Sequence, residues 1–213
     1  TSVYEHQTVI DSTLYTKQKQ AWKTPTHTLN AYYDIKIDSL GKKLSFTGNY
    51  LSNIPDKVND FSTVNKATSN EDVVRNNSKM NYSIYSGQAD LTLPYKWVSI
   101  ETGAKYTLLD NSSNVGYYNL FGTNYIINPD NSNLFNYKEH NYAAYISLQK
   151  DFNEKWSAKA GFRYEYTSLE GQTPENETSE VTDDYGKLFP TAYISYKPNE
   201  NNSLSLNYSK RID

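Results

Sequence analysis

Residues 156–169 alternate apolar and polar side chains with a period of two. One parity reads Trp156, Ala158, Ala160, Phe162, Tyr164 and Tyr166, and the other reads Ser157, Lys159, Gly161, Arg163, Glu165 and Thr167. This pattern predicts a β-strand with one apolar and one polar face. Strands of globular sheets usually have about 5 or 6 residues, whereas a tilted strand that crosses a bilayer needs about 9 to 11. The length therefore favours a membrane barrel.

The same alternation recurs along the chain and predicts four hairpins in series. Their short turns are expected at residues 39–41, near Pro94, at 151–154 and at 199–202. The fold class is therefore all-β, an antiparallel up-and-down meander of a transmembrane β-barrel with about 8 or 9 strands. Residues 1–213 form a single barrel segment in this prediction, with an uncertain strand and loop over 1–25 and the four hairpins over 26–211.

Long polar stretches separate the hairpins at residues 51–79, 110–136 and 170–187. We expect these stretches to be loops. Short and long connections then alternate strictly, as in outer-membrane barrels with short periplasmic turns and long extracellular loops. A soluble β-sandwich has no reason for this alternation.

Composition narrows the possible functions. Lys and Arg total 21 against 24 Asp and Glu, so the net charge of -3 provides no basic surplus for nucleic acid. The chain has no Cys, which excludes disulfides and thiolate sites. Hydrophobic residues make up only 37%, yet 21 Tyr, 7 Phe and 3 Trp oppose disorder. Strands that are apolar on one side only reconcile these two facts.

Four stretches carry a family resemblance: FNYKEHNYAAY from Phe135, AGFRYEYTSLEG from Ala160, FPTAYISYKP from Phe189 and LSLNYSKRI from Leu204. In order and spacing they resemble the outer-membrane β-barrel family close to TonB-dependent receptors, which is common in Bacteroidota. The resemblance covers residues 90–212 well and the first 80 residues only by pattern. Transporter barrels of this kind have about 22 strands, so the chain looks like an internal barrel fragment.

The resemblance implies a nutrient receptor in the outer membrane of a Gram-negative cell. Its partners would be outer-membrane lipid and, in the full-length protein, a plug domain and a periplasmic energy-coupling protein. The ligand is unknown, and no cofactor is implied. Two alternatives stay open, namely a small self-contained outer-membrane barrel with an adhesion or structural role and a soluble β-sandwich binding module. Since no nucleophile and base can be paired from the sequence, we expect no enzymatic activity.

Charged residues on the polar parities of three strands, which belong to two of the predicted hairpins, are predicted to face the barrel lumen: Asp90, Glu101, Lys105, Lys159, Arg163 and Glu165. They could form a wall that sets solute preference, or simply neutralise one another as salt bridges inside a barrel.

A second candidate site lies in the expected loop after Asp110. Its rings, Tyr117, Tyr118, Phe121 and Tyr125, could stack on a sugar or another flat ligand, or pack on one another. The acidic residues Glu175, Glu177, Glu180, Asp183 and Asp184 could bind calcium, although they lack EF-hand order and a solvated loop explains them as well. The three dispersed histidines, His6, His27 and His140, predict neither a metal site nor a catalytic triad.

Overall fold

The computed structural model describes residues 2–6, 9–174 and 180–210, with side chains from residue 13 onward. These residues form a 12-stranded antiparallel sheet and a single 3-10 turn, Pro129–Asn131. The strands are β1 (Ser2–His6), β2 (Val9–Lys23), β3 (Thr26–Lys36), β4 (Lys43–Asn53), β5 (Asp56–Asn65), β6 (Glu71–Pro94), β7 (Ser99–Phe121), β8 (Asn124–Ile127), β9 (Asn133–Asp151), β10 (Trp156–Gln172), β11 (Val181–Asn199) and β12 (Asn202–Ser209). Within the described part of the chain, no helix is long and apolar enough to cross a membrane.

β2 and β3 form one long strand that is interrupted at Pro25, and β4 and β5 form another that is interrupted at Pro55. β2 pairs with β5 and β3 pairs with β4 in one continuous register, and β4 and β5 likewise share one register with β6. The ladder crosses both interruptions, because the Ile54 amide donates to the Pro25 carbonyl at 3.0 Å and the Met80 amide donates to the Pro55 carbonyl at 3.0 Å. Proline has no N–H to donate a second hydrogen bond at these positions, so each interruption lacks one backbone hydrogen bond but keeps the register.

Counting each interrupted pair as one leaves eight long strands and the short strands β1 and β8. The long strands form the four predicted hairpins, so the predicted all-β up-and-down meander is confirmed. The uncertain first 25 residues contribute β1 and β2, which pair with each other. The sheet is open, since β3 and β12 each pair on one side only among the described strands.

The prediction that these three long polar stretches are loops is wrong. Residues 51–79 contain all of β5 and the start of β6, residues 110–136 continue β7 and add β8, and β10 and β11 extend into 170–187. Polar and apolar side chains do not alternate regularly in these extensions, so the sequence does not identify them as strands. Neighbouring strands nevertheless satisfy each other's backbone groups, which is sufficient for a hairpin to continue.

The sheet has a polar face that is more buried and an apolar face that is exposed. On β10, Phe162 is 56% exposed, whereas Thr167 on the opposite parity is 3% exposed. Side chains on the concave side of a single curved sheet crowd one another, so we call the polar face inward and the apolar face outward. A soluble sheet protein buries its apolar face, and this molecule does the reverse.

Aromatic rings mark one limit of the outward apolar band, on the side away from the short turns. The ring centroids of Tyr50 and Tyr85 lie 5.0 Å apart, those of Tyr106 and Tyr142 5.0 Å, and those of Tyr142 and Tyr166 6.4 Å. We call these five residues the tyrosine row. At the opposite limit, Trp156 stacks on Tyr196 at 4.3 Å.

The height of the band follows from β10. Ten residues separate Trp156 from Tyr166, which is about 33 Å along a strand at roughly 3.3 Å per residue. With a tilt of about 35 to 45°, this corresponds to a band of roughly 25 Å, the height of the apolar band of outer-membrane barrels.

The short turns lie together at the end of the sheet beyond Trp156, which we call the short-turn end. Asp38 Oδ1 accepts hydrogen bonds from the amides of Leu40 and Lys42, at 2.9 and 3.0 Å. The Lys42 amide is the main reason that the pKa of Asp38 is lowered. Asn153 Oδ1 accepts from Lys155 and Trp156 in the same manner. The remaining connections lie at the opposite, long-connection end, as the antiparallel pairing requires.

Candidate functional site

The inward face carries one row of side chains across five strands at the level of the apolar band. Asp90 on β6 lies opposite Gly103 on β7, which lies opposite Tyr145 on β9. Tyr145 in turn lies opposite Arg163 on β10, and Arg163 opposite Phe189 on β11. Residues directly opposite in antiparallel strands share one face, so this row forms a continuous inward surface.

Gly103 lets Tyr145 reach across β7. A Cβ atom at Gly103 would lie 2.5 Å from the Tyr145 hydroxyl, 2.6 Å from the Ala89 carbonyl oxygen and 2.6 Å from Asp90 Oδ1. Only glycine leaves this space, and through it the Tyr145 hydroxyl donates a hydrogen bond to Asp90. Gln88 Nε2 donates to the same carboxylate, at 3.0 and 2.8 Å to its two oxygens.

The row continues on the other side of Tyr145 as an ion pair. The Arg163 guanidinium carbon lies 5.7 Å from the Tyr145 ring centroid, and Arg163 Nε is 2.5 Å from Glu165 Oε1. The Asn141 amide donates to Thr167 Oγ1 at 2.9 Å and approaches Glu165 Oε2 at 3.5 Å. The carboxylates of Asp90 and Glu165 are thus held by donors on their own strands, Gln88 and Arg163, and by donors on β9, Tyr145 and Asn141.

A second ion pair lies nearer the short-turn end. Lys159 Nζ on β10 reaches over β9 to Glu101 Oε2 on β7 at 2.7 Å, and the Ser147 hydroxyl donates to the same oxygen at 3.2 Å. Lys105 lies two residues from Gly103 towards the long-connection end, opposite Gln88 and Ala143. All six residues predicted to face the lumen therefore lie on the inward face, four of them in ion pairs. Gln88, Tyr145 and Asn141, which complete the network, were missed.

A cavity of about 520 Å³ lies against this network. Tyr145, Arg163 and Glu165 line one part of it and Phe189 and Thr191 another. Its charged lining consists of the Arg163–Glu165 ion pair and Lys210, so the surface offers fixed dipoles and one further cation. This arrangement can hold a packed domain or water in place.

The four aromatic residues predicted to bind a ligand do not form one cluster. Tyr117 and Phe121 lie on the inward parity of β7, and Tyr118 lies on the outward parity of the same strand. Tyr125 on β8 pairs with Leu120 and is also outward. Whether any of them binds a ligand stays a prediction, but only Tyr117 and Phe121 face the inside.

Further rings share the inward face with Tyr117 and Phe121, between the tyrosine row and the long-connection end. They lie on five strands and were not predicted as site residues: Trp22, Phe61, Tyr82, Phe135, Tyr137 and Tyr185. We call this surface, with its eight rings, the inward wall. The faces of Phe61, Phe135 and Tyr185 were readable only once the stretches expected to be loops were known to be strands.

Two rings of the inward wall are held in place by specific contacts. The Tyr137 hydroxyl donates to Glu139 Oε2 at 2.6 Å, and burial together with this carboxylate raises the pKa of Tyr137 to about 12. Phe135 lies over Gly171, where a Cβ atom would meet Phe135 Cζ at 3.1 Å. Both rings are therefore positioned before any ligand arrives.

Tyr125 has a partner on the outward face. Arg75 forms a two-point ion pair with Asp60, at 2.6 and 3.0 Å, and its guanidinium carbon lies 4.1 Å from the Tyr125 ring centroid. The hydrogen bond from Arg75 is the main cause of the lowered pKa of Asp60. These contacts join β8 to β5 and β6 and indicate a structural role for Tyr125.

The remaining candidates provide no site in the described residues. Glu175 and Glu177 lie outside the described residues. Asp183 and Asp184 are neighbours in β11 and face opposite sides of the sheet. No cluster of three or more metal-ligating side chains occurs in the part of the chain that the structure describes. His140 Nδ1 lies 2.8 Å from the Tyr106 hydroxyl on the outward face.

Comparison with known proteins adds a family and a fold. The model of the outer membrane protein beta-barrel family matches residues 35–213. No curated protein matches the chain.

Three solved structures show the same fold at low sequence identity. The ferric-catecholate import receptor Fiu from E. coli K12, in its open form, has a TM-score of 0.60 and 12% identity, with 88% of this chain and 35% of that chain covered. The siderophore receptor PiuA from Acinetobacter baumannii has a TM-score of 0.51 and 11% identity, covering 92% and 42%. The copper transporter OprC has a TM-score of 0.51 and 12% identity, covering 84% and 36%. The chain thus spans well under half the length of these proteins.

Proposed function

Since the chain belongs to the outer membrane protein beta-barrel family, we propose that it forms part of the barrel wall of a TonB-dependent-type receptor that takes up a nutrient. The family resemblance and the outer-membrane location predicted from the sequence are confirmed. The observation that carries the proposal is the inversion of the two faces, with an apolar band outside and hydrogen-bonded charge inside, on a sheet whose hairpins extend far beyond the band at one end only.

Each surface has a distinct task in this proposal. The outward band contacts lipid, and the long-connection end projects from the cell as extracellular hairpins. The inward network around Tyr145 faces a plug domain or water. Because Asp90 and Glu165 already have protein donors, the network around Tyr145 can pack against such a domain without leaving either carboxylate unpaired. The plug domain and the periplasmic energy-coupling protein would gate the pore and supply the energy, and no catalytic step is assigned to this chain.

The two alternatives fit the geometry less well. A small self-contained barrel of eight strands closes on itself, whereas β3 and β12 are unpaired edges among the described strands. A soluble sandwich buries its apolar faces between two sheets, whereas Leu204 and Leu206 on β12 are 65% and 72% exposed. The open sheet and its exposed apolar face favour the wall of a larger barrel.

Growth of the source cell with and without the full-length gene tests the proposal. The deletion strain should fail to grow when a particular nutrient is scarce, and a strain without the energy-coupling protein should fail on the same nutrient. The purified full-length protein should show heat-modifiable gel mobility. A heat-modifiable protein whose loss leaves growth on every nutrient unchanged would support the adhesion or structural alternative. A monomer that is soluble without detergent would support the sandwich.

A further inference from the structure

The inward wall combines aromatic rings with uncharged amides. Amide side chains stand among its eight rings on the same parities: Gln18, Gln20, Asn59, Asn76, Asn111 and Asn119. Asn76 lies opposite Tyr117, and Asn111 lies between Tyr82 and Tyr137. Rings thus alternate with groups that both donate and accept hydrogen bonds.

Charge is scarce on this surface. The described charged side chains on this surface are Lys57, Asp72, Glu139 and Asp183, and at its edge Lys187, whose Nζ lies 5.1 Å from the Tyr185 ring centroid, giving two cations and three anions. Glu139 is occupied by the Tyr137 hydroxyl. A surface that captures an anion needs arginine or lysine donors, and this wall has an excess of negative charge instead.

Two of the amides have unused hydrogen-bonding capacity. Asn76 Nδ2 and Asn111 Oδ1 are buried beside the rings without a hydrogen-bond partner. A buried polar atom in this state costs about 1 to 3 kcal/mol. Both atoms belong to side chains that lie directly opposite rings of the inward wall, Asn76 opposite Tyr117 and Asn111 opposite Tyr137.

From this chemistry we infer that the receptor recognises a neutral, polyhydroxylated solute of the carbohydrate type, and that the inward wall contacts it. The inference rests on the proposed function and specifies its substrate class. Aromatic rings pack on the apolar faces of sugar rings, and amides pair with their hydroxyl groups. The positioned rings of Phe135 and Tyr137 lose little conformational freedom on binding. An anionic metal chelate would instead meet the carboxylates of Asp72 and Asp183.

Binding by the purified full-length receptor tests the inference. The probes are neutral oligosaccharides of glucose, galactose and mannose with up to seven units, and an anionic ferric catecholate for comparison, all titrated by calorimetry. At least one oligosaccharide should bind, and the ferric catecholate should not. Tyr117→Ala and Phe135→Ala should each weaken oligosaccharide binding about 10-fold, which is roughly the loss of one well-packed aromatic contact.

Two matched variants make this test specific. Tyr118→Ala removes the neighbouring ring from the outward face and should change affinity less than about 2-fold. Tyr137→Phe keeps the ring, removes its bond to Glu139 and should retain most of the affinity if stacking dominates. Heat-modifiable mobility confirms that each variant assembles.

The outcomes separate this inference from the proposed function. Binding of the ferric catecholate alone, or of none of the oligosaccharides, overturns the inference if growth on a nutrient still requires the receptor. Equal losses for Tyr117→Ala and Tyr118→Ala would remove the inward wall from recognition. If no growth condition requires the receptor or the energy-coupling protein, the proposed function fails and the inference fails with it.

Discussion

A charge placed at Phe162 tests the assignment of the two faces. Phe162 is outward, six residues from Trp156 and four from Tyr166, or about 20 and 13 Å along the strand at roughly 3.3 Å per residue. With a tilt of about 35 to 45°, it lies roughly 15 and 10 Å from the two edges of the apolar band and therefore close to its midplane. Phe162→Arg should lower the free energy of unfolding in a bilayer by about 2 to 4 kcal/mol.

The neighbouring residue provides the comparison. Arg163→Gln removes the ion pair with Glu165, whose side chains are 34% and 23% exposed, and should cost about 1 kcal/mol or less because the pair is partly solvated. Phe162→Leu keeps an apolar side chain in the band and controls for the loss of the ring. The assay is urea unfolding and refolding of the full-length barrel in lipid vesicles, followed by tryptophan fluorescence. Equal losses for Phe162→Arg and Arg163→Gln would show that the faces are assigned wrongly.

Three further predictions follow from particular contacts. Gly103→Ala should destabilise the barrel by about 1 to 3 kcal/mol because it displaces the Tyr145 ring, whereas Gly87→Ala, where a Cβ atom has no neighbour within 4 Å, should change unfolding by less than about 0.5 kcal/mol in the same titration. Since the folded-state pKa of Asp60 is lowered, its pairing stabilises the protein above the unfolded-state pKa of about 4 and is lost as pH falls through the folded-state value. Thermal melts of the wild type and Asp60→Asn should therefore differ at neutral pH and converge in acid, and a constant difference would refute the pairing. An impermeant thiol reagent on intact cells should label single cysteines that replace Ser62 or Asn119. It should spare cysteines that replace Gly41, Asn153 or Asn201. Labelling of both sets would refute the topology.

The sequence was sufficient for the part of the fold within the apolar band. Between Trp156 and Tyr166 every second residue meets an apolar environment, so the alternation of apolar and polar side chains directly predicts the strand and its two faces. Beyond the band both faces meet polar surroundings, and a segment such as Asn76 to Ser78 has no reason to alternate. Its strand structure comes from the ladder that β5 and β7 provide on either side, and this register is a property of the assembled sheet.

The inward network shows the same division. The parity of Arg163 and Glu165 could be predicted from their own strand, and so could their close approach. The contact between Tyr145 and Asp90 could not, because it spans two intervals between strands and depends on Gly103 lying between them. A large ring on a polar parity was the available signal, and its partner was identifiable only from the register of three strands.

The extended hairpins also change how recognition should be tested. Removing residues 116–126 would delete the end of β7 and most of β8, and with them the partners of residues 74–77 on β6. A growth defect after this deletion would therefore combine lost recognition with a damaged sheet. Tyr117 and Tyr118 are adjacent in one strand, each pairs with β6, and their side chains point to opposite faces. Comparing Tyr117→Ala with Tyr118→Ala keeps the backbone ladder intact in both variants and changes only the face that loses a ring, so a difference in ligand affinity between them measures recognition alone.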